Sequence, residues 1–182
     1  MTTYLGLLRG INVGGKNKVP MAELRTVLED AGFSNVSTYI ASGNVFLDSD
    51  LSASKVAAKI EAALPKAFKL DTKLVRVAVL SKAELEAVVK RRPKGFGAEP
   101  TKYHSDAIFL MGIDADEAMA MFSPRDGVDK VWPGKGVVYH QRLSAERTKS
   151  RMGRIAGTPA YASLTIRSWQ TTLALLDLMR RR

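Results

Sequence analysis

The sequence predicts a mixed α/β fold of the α+β kind, and three observations carry that expectation. Apolar runs with strand character alternate with stretches whose apolar residues recur at helical spacing. Over residues 1–80 the order reads β-α-β-β-α-β, the split βαβ or ferredoxin-like unit. The same order of elements returns over residues 104–182, with no obvious residue-level identity between the two stretches. The expected architecture is two ferredoxin-like βαββαβ halves in one chain, with additional helices. Residues 1–80 form the first half, and 81–103 a connecting helix and loop. Residues 104–182 form the second half plus a terminal helix, all within one domain spanning 1–182.

Residues 4–9 are a short apolar run closed by Gly10, which reads as a buried strand. A Gly-rich loop follows over 10–19. Pro20 suits a first helical position. Met21, Leu24, Val27, Leu28 and Ala31 then recur at helical spacing, and Gly32 supplies a stop. Residues 36–41 and 45–48 are β-prone runs around Ser42-Gly43-Asn44, so they read as a hairpin. Val56, Ile60, Ala63, Leu64 and Ala67 mark a second amphipathic helix, with Ser52 or Ser54 as its N-cap. Residues 74–79 read as a strand with Val75, Val77 and Val79 on one face.

Ser81-Lys82-Ala83-Glu84 is a capping box for a third helix, which carries Leu85, Val88 and Val89 and ends near Pro93. Residues 91–105 are rich in Pro, Gly and charge and read as a loop. Residues 107–111 are a strand, and Asp114-Ala115-Asp116-Glu117 caps a short helix through Phe122. Residues 128–132 and 137–141 are strands around Pro133-Gly134-Lys135-Gly136. Residues 144–155 read as helical and 164–166 as a short closing strand. Trp169, Leu173, Leu176 and Met179 form the stripe of a last helix.

Composition narrows the chemistry. The 182 residues are 46% hydrophobic and 25% charged, which excludes a disordered, collagen-like or membrane-embedded chain. With no cysteine there is no disulfide, thiol nucleophile, iron–sulfur cluster or Cys-based zinc site. Two histidines are too few for a three-His metal site. No metal and no cofactor are expected. Residues 1–3 carry no basic side chain, and the apolar run 4–8 is too short for a signal-peptide core. The run 107–113 is far below the roughly 18 residues of a membrane span. A cytoplasmic protein with no membrane partner is expected. The net charge of +10 is uneven: residues 141–182 alone hold nine basic and two acidic side chains.

Gly10-Ile11-Asn12-Val13-Gly14-Gly15-Lys16 spells the G-x-x-x-x-G-K part of a phosphate-binding loop and follows a strand. Asn17 stands where magnesium needs a Ser or Thr hydroxyl, and Pro20 starts the helix too late. Nucleotide hydrolysis is therefore not expected. A weaker use survives: successive Gly amides beside Arg9, Lys16 and Lys18 can cradle an anion. In a βαββαβ unit the loop after the first strand and the hairpin tip lie at one end. That places Asn12, Lys16 and Asn17 near Ser42 and Asn44.

The segment 4–49, with L-L-R-G-I-N-V-G-G-K-N-K-V, the 21–32 helix and T-Y-I-A-S-G-N-V-F, resembles the bacterial domain-of-unknown-function family numbered 1697. T-I-R-S-W-Q-T-T over 165–172 is similar to that family's other marked motif. The family tends to show Asn where this chain has Ser168 and Gln170. The resemblance implies the duplicated architecture and supplies no activity. It marks Arg9, Gly10, Asn12, Gly14, Gly15, Ser42, Gly43, Asn44, Arg167 and Trp169. Arg167 precedes a helix whose free amides favour anions, Ser168 is a cap for that helix, and Trp169 heads its apolar stripe.

Three further patterns in the sequence bear on function. Arg147, Arg151 and Arg154 would form one basic helix face, suited to phosphates or RNA. Lys94-Gly95-Phe96-Gly97 resembles the start of an RNA-recognition signature but runs into Ala98-Glu99-Pro100 instead of a strand. His104 and His140 show no nucleophile or carboxylate partner at readable spacing. The expected function is binding of a small anionic ligand or nucleotide by Arg9, Asn12, Gly14, Gly15, Lys16, Ser42, Asn44 and Arg167. The alternatives are nucleic-acid association through the basic C-terminal quarter and a metal-independent enzyme, the latter weakened because no general base is identifiable.

Overall fold

The computed structural model describes residues 1–72 and 75–182. It is a mixed α/β structure with two four-stranded antiparallel sheets. The chain divides into two compact units, Met1–Leu85 with Leu175–Arg182, and Glu86–Ala174.

In the first unit the chain runs β1 (Thr2–Arg9), α1 (Met21–Asp30), β2 (Ser34–Tyr39), β3 (Asn44–Ser49), α2 (Ala53–Ala67) and β4 (Arg76–Ser81). The sheet order is β2-β3-β1-β4. Central β1 is buried from Tyr4 to Leu8 without alternation, which is why it reads as one apolar run. Leu24 and Leu28 of α1 and Val56, Ile60 and Leu64 of α2 lie with Tyr4, Leu8, Val45, Leu47, Val75 and Val77 in one core. Their spacing of three or four residues turns one stripe of each helix onto the sheet.

Three local expectations change, and a fourth falls on residues the structure does not describe. Pro20 sits before the helix in extended conformation (ψ 132°), and its carbonyl accepts from Leu24 N at 2.9 Å. Ser52 occupies the N-cap position of α2 without a side-chain capping bond. The first hairpin strand ends at Tyr39, because Ile40 turns into the left-handed region at φ 49°. The start of the fourth strand at Leu74 lies outside the described residues.

The second unit contains β5 (Tyr103–Leu110), α4 (Ala115–Met119), β6 (Asp129–Gly134), β7 (Val137–Leu143) and β8 (Leu164–Ser168), ordered β6-β7-β5-β8. Two further helices, α3 (Lys82–Lys90) and α5 (Trp169–Arg180), each contribute residues to both units. The expected capping box of Ser81 with Glu84 forms, and the expected cap at Asp114 is itself a capping box with Glu117. The short helix stops at Met119, and single turns continue to Phe122.

The helix expected over 144–155 is not there. The chain instead makes 3-10 turns over Ser144–Lys149, Met152–Gly157 and Pro159–Ser163. The segment lacks an apolar stripe: only Ile155 of the first two turns is buried. Gly153, Gly157 and Pro159 weaken a helix further. Ser150 at the junction gives its hydroxyl to Asp129 at 2.6 Å. The basic face formed by Arg147, Arg151 and Arg154 therefore falls with the helix that would have carried it.

Phe96 explains the loop before β5. It is 2% exposed and meets Trp132, Tyr139 and Trp169 edge-on, with centroids 5.0–6.0 Å away. Tyr139 also donates its hydroxyl to Val88 O at 2.6 Å. Lys94-Gly95-Phe96-Gly97 is thus a core plug and not a base-stacking surface, and Trp169 is core as its stripe implied.

Candidate functional site

The loop after β1 is a miniature hairpin. Val13 and Lys16 pair as an isolated bridge, with Lys16 N donating to Val13 O at 3.0 Å. Gly14 and Gly15, at φ 58° and 76°, are the two central residues. That pattern belongs to a type I′ turn, which needs positive φ at both positions. Asn12 N donates to Asn17 O at 3.0 Å and closes the next rung. The backbone pairs with itself here, so the loop does not wrap around a phosphate as a nucleotide-hydrolysing loop does.

Two asparagines, Asn12 and Asn17, weld this hairpin to its neighbours, and a third, Asn44, braces the β2–β3 turn. Asn12 Oδ1 accepts from Val19 N at 2.8 Å, and Nδ2 donates to Val19 O and to Ala41 O, both at 2.9 Å. The last bond ties the β1–α1 loop to the β2–β3 turn. Asn17 is 4% exposed. Its Nδ2 donates to Gly10 O at 2.7 Å and Thr72 Oγ1 at 2.9 Å, while Oδ1 accepts from Asp71 N and Thr72 N. Its own N–H donates to Asp71 Oδ2 at 2.6 Å. Asn44 is fully buried and donates to Tyr39 O at 3.0 Å and Ser42 Oγ at 2.9 Å.

Gly43 makes the close approach. A Cβ there would stand 2.9 Å from both Leu8 Cβ and Ile11 Cδ1. Its carbonyl accepts from Leu8 N at 2.8 Å. The loop after β1 and the hairpin tip therefore meet in space. Among the residues this end presents outward are Gly14, Gly15, Lys16, Lys18 and Ser42, all exposed, with half-buried Arg9 at the end of β1. Arg9 lies directly opposite Arg76 on β4.

Arg167 belongs to the second unit, on β8, and is 7% exposed. Its guanidinium donates to Thr165 Oγ1 at 3.0 Å and Ile166 O at 2.8 Å. Burial lowers its pKa to about 10, so it stays charged at neutral pH. Ser168 accepts from Thr171 N at 3.2 Å and caps α5.

Sequence reading missed a second polar constellation. His104 and His140 do have carboxylate partners. His104 Nε2 lies 2.9 Å from Asp106 Oδ1, and His140 Nδ1 lies 3.4 Å from Asp106 Oδ2. His140 Nε2 lies 3.3 Å from Asp129 Oδ1. Asp129 also accepts from Ser150 Oγ, Arg151 N at 2.9 Å and Arg125 N at 3.1 Å. Burial tends to raise the Asp129 pKa, but these donors outweigh it and hold the carboxyl below its usual value. His104 and Asp106 alternate onto one face of β5, and Asp106 pairs with His140 across the β5–β7 ladder. The alternation was readable; the register of two strands 34 residues apart was not.

A shallow depression abuts this cluster, lined by Phe122, Pro124, Val131, His140, Arg151 and Met152 among others, and its cavity volume of about 10 Å³ is room for a water molecule and not for a small-molecule ligand. Among the described residues no group of three or more His, Asp or Glu is arranged to hold a metal. Among the same residues no helix is long and apolar enough to cross a membrane.

These features define a class: a mixed α/β protein of two antiparallel sheets, with welded loops at one end of the first and a buried His–Asp chain on the second. The chain belongs to the family described as "Protein of unknown function (DUF1697)", which matches residues 1–139. It is similar to the solved structure of conserved bacterial protein SP0830 from Streptococcus pneumoniae. The two share 28% identity over 99% of each chain, with a TM-score of 0.79. No curated protein matches it.

Proposed function

We propose that this is a cytoplasmic binding protein that holds a small anionic group at the loop end of the first unit. The observation that carries the reading is the Asn12 Nδ2 bond to Ala41 O, 2.9 Å, which fixes the glycine turn beside the hairpin tip. A fixed loop loses little entropy when a ligand arrives. Lys16 and Lys18 supply point charges, Arg9 a planar fork, and Gly14 and Gly15 an unobstructed backbone. Asn12 and Asn44 act as supports, since their amides are already engaged.

Binding is favoured over catalysis because both nitrogens of His140 face carboxylates and neither is offered to a substrate. We read the two units as ferredoxin-like halves, 1–80 and 104–182 with 81–103 between them. The shared relative strand order, β2-β3-β1-β4 and β6-β7-β5-β8, supports this.

The test is an NMR titration with inorganic phosphate and adenosine monophosphate. Shifts centred on residues 12–18 and 41–44, lost in Lys16→Ala, are expected. Binding unchanged in Lys16→Ala and weakened in Arg151→Ala would move the site to the second unit.

A further inference from the structure

The loop end of the first unit carries apolar side chains that a free anion does not need. Among the described residues four large hydrophobics are exposed, and two of them, Val13 at 66% and Ile40 at 51%, stand here. Each is the chain neighbour of one partner in the Asn12–Ala41 hydrogen bond. Val13 begins the glycine turn, and Ile40 begins the hairpin tip.

Ile40 is also held at φ 49°. A β-branched residue rarely adopts the left-handed region, where Gly and Asn are at ease. The chain nevertheless places isoleucine at a position that is both strained and half open to water. Strain of this sort persists where the surroundings enforce it and clusters at binding surfaces. Lys16, paired with Val13 across the glycine turn, and Lys18, two residues on in the same loop, are exposed and take part in no ion pair among the described residues.

We propose that this end is a docking surface for an acidic protein segment that also bears aliphatic side chains. The inference rests on the anion-binding reading above and names the carrier of the anion: partner carboxylates meet Lys16 and Lys18 while aliphatic side chains cover Val13 and Ile40. Two protruding aliphatic groups with cations beside them have the make-up of a small interface core with a charged rim. A nucleic acid fits less well. Stacking of successive bases needs several exposed aromatic faces; here Phe46 is 2% exposed with Arg182 over its ring, and Tyr39 beside Ile40 is a single half-buried ring.

The experiment uses the whole chain and fluorescein-labelled peptides that alternate Asp or Glu with Leu or Ile. Control peptides replace the aliphatic residues by Ser, or the acids by Asn and Gln. Oligothymidylate and inorganic phosphate are the remaining probes. The alternating peptide is expected to bind, and to lose about tenfold in affinity with either control, with Val13→Ser and with Ile40→Asn, a change equal to about 1.4 kcal/mol. Because Asn tolerates φ 49°, Ile40→Asn keeps the fold while removing the aliphatic contact. Affinity for the alternating peptide that is absent, or untouched by Val13→Ser and Ile40→Asn, overturns the docking surface. If phosphate still shifts residues 12–18, the anion reading survives that failure; if neither probe binds this end, both fall. Oligothymidylate binding with a steep salt dependence at these residues assigns the surface to nucleic acid instead.

Discussion

Asp106 and His140 face each other across β5 and β7, paired in register, with Oδ2 3.4 Å from Nδ1. His140 is 1% exposed and reaches Asp129 with its other nitrogen. The cluster thus joins partly exposed His104 on β5 to Ser150 and Arg151 at the junction of two 3-10 turns. It serves as a polar clasp for a segment that has little apolar burial to hold it.

Asp129→Asn opens the clasp. Two backbone donors, Arg151 N and Arg125 N, now face Oδ2; an amide must turn either its NH2 toward them or its NH2 toward Ser150 and His140. The expected cost is about 2–3 kcal/mol, from unsatisfied groups in a mostly buried site. Urea unfolding monitored by circular dichroism measures it, and hydrogen exchange of residues 144–157 should rise first.

The same carboxyl sets an acid limit. Its folded pKa is held below the usual value, so the stability it adds is complete above the unfolded pKa of about 3.9 and fades as pH falls through the folded one. Wild-type stability should therefore decline below about pH 4, and the Asn variant should decline less steeply. Parallel slopes for the two proteins in urea titrations between neutral and acid pH would refute this assignment.

Asn17 is a staple and not a displaced catalytic position. Its side chain and N–H join Gly10, Asp71 and Thr72 from an almost fully buried position. Asn17→Ala should cost about 2–4 kcal/mol, because several buried partners lose their bonds together. Asn17→Ser completes the spelling of a phosphate-binding loop, yet it should destabilise the chain and yield no ATP hydrolysis. A phosphate-release assay and a thermal melt on the one variant check both halves.

The fold was legible where periodicity was strong. Leu24 and Leu28, Val56 with Ile60 and Leu64, and the apolar run of β1 each announced the element they formed. The segment 144–163 was not, because three arginines at helical spacing carry no packing information and Ile155 alone does not make a stripe. The convergence of the glycine loop and hairpin tip followed from strand direction, and Asn12 Nδ2 to Ala41 O is its atomic form. The positive φ of Ile40 had no sequence signal, since isoleucine argues for a strand. The clasp was hidden for another reason: Asp106, Asp129 and His140 become neighbours only through ladder register and a diagonal contact.

Ile40 yields a prediction of unusual sign. Ile40→Gly removes the Cβ that makes φ 49° costly, at a half-exposed position. The left-handed penalty for an L-residue is about 1–2 kcal/mol, partly offset by the greater freedom glycine has when unfolded. A net gain of about 0.5–1 kcal/mol is expected, visible as a higher melting temperature. A loss of stability would mean that the Ile40 side chain packs usefully within its own fold, which would also remove a support of the docking surface.

Gly43→Ala tests the link between packing and binding. Position 43 has φ 79°, and a Cβ would stand 2.9 Å from Leu8 Cβ and from Ile11 Cδ1. Leu8 Cβ is fixed to the central strand, so it cannot swing aside as the end of a long side chain would. Either the hairpin tip lifts from β1, breaking the Leu8 N to Gly43 O bond, or Ile11 leaves the core where it is 2% exposed. Either route should cost about 2–4 kcal/mol. Lifting the tip also stretches the Asn12 to Ala41 bond that holds the two loops together. Phosphate affinity at Lys16 should then fall although no residue proposed to touch the anion has changed. Measured well below the variant's melting temperature, an unchanged affinity together with the stability loss would show that the glycine turn binds without help from the hairpin tip.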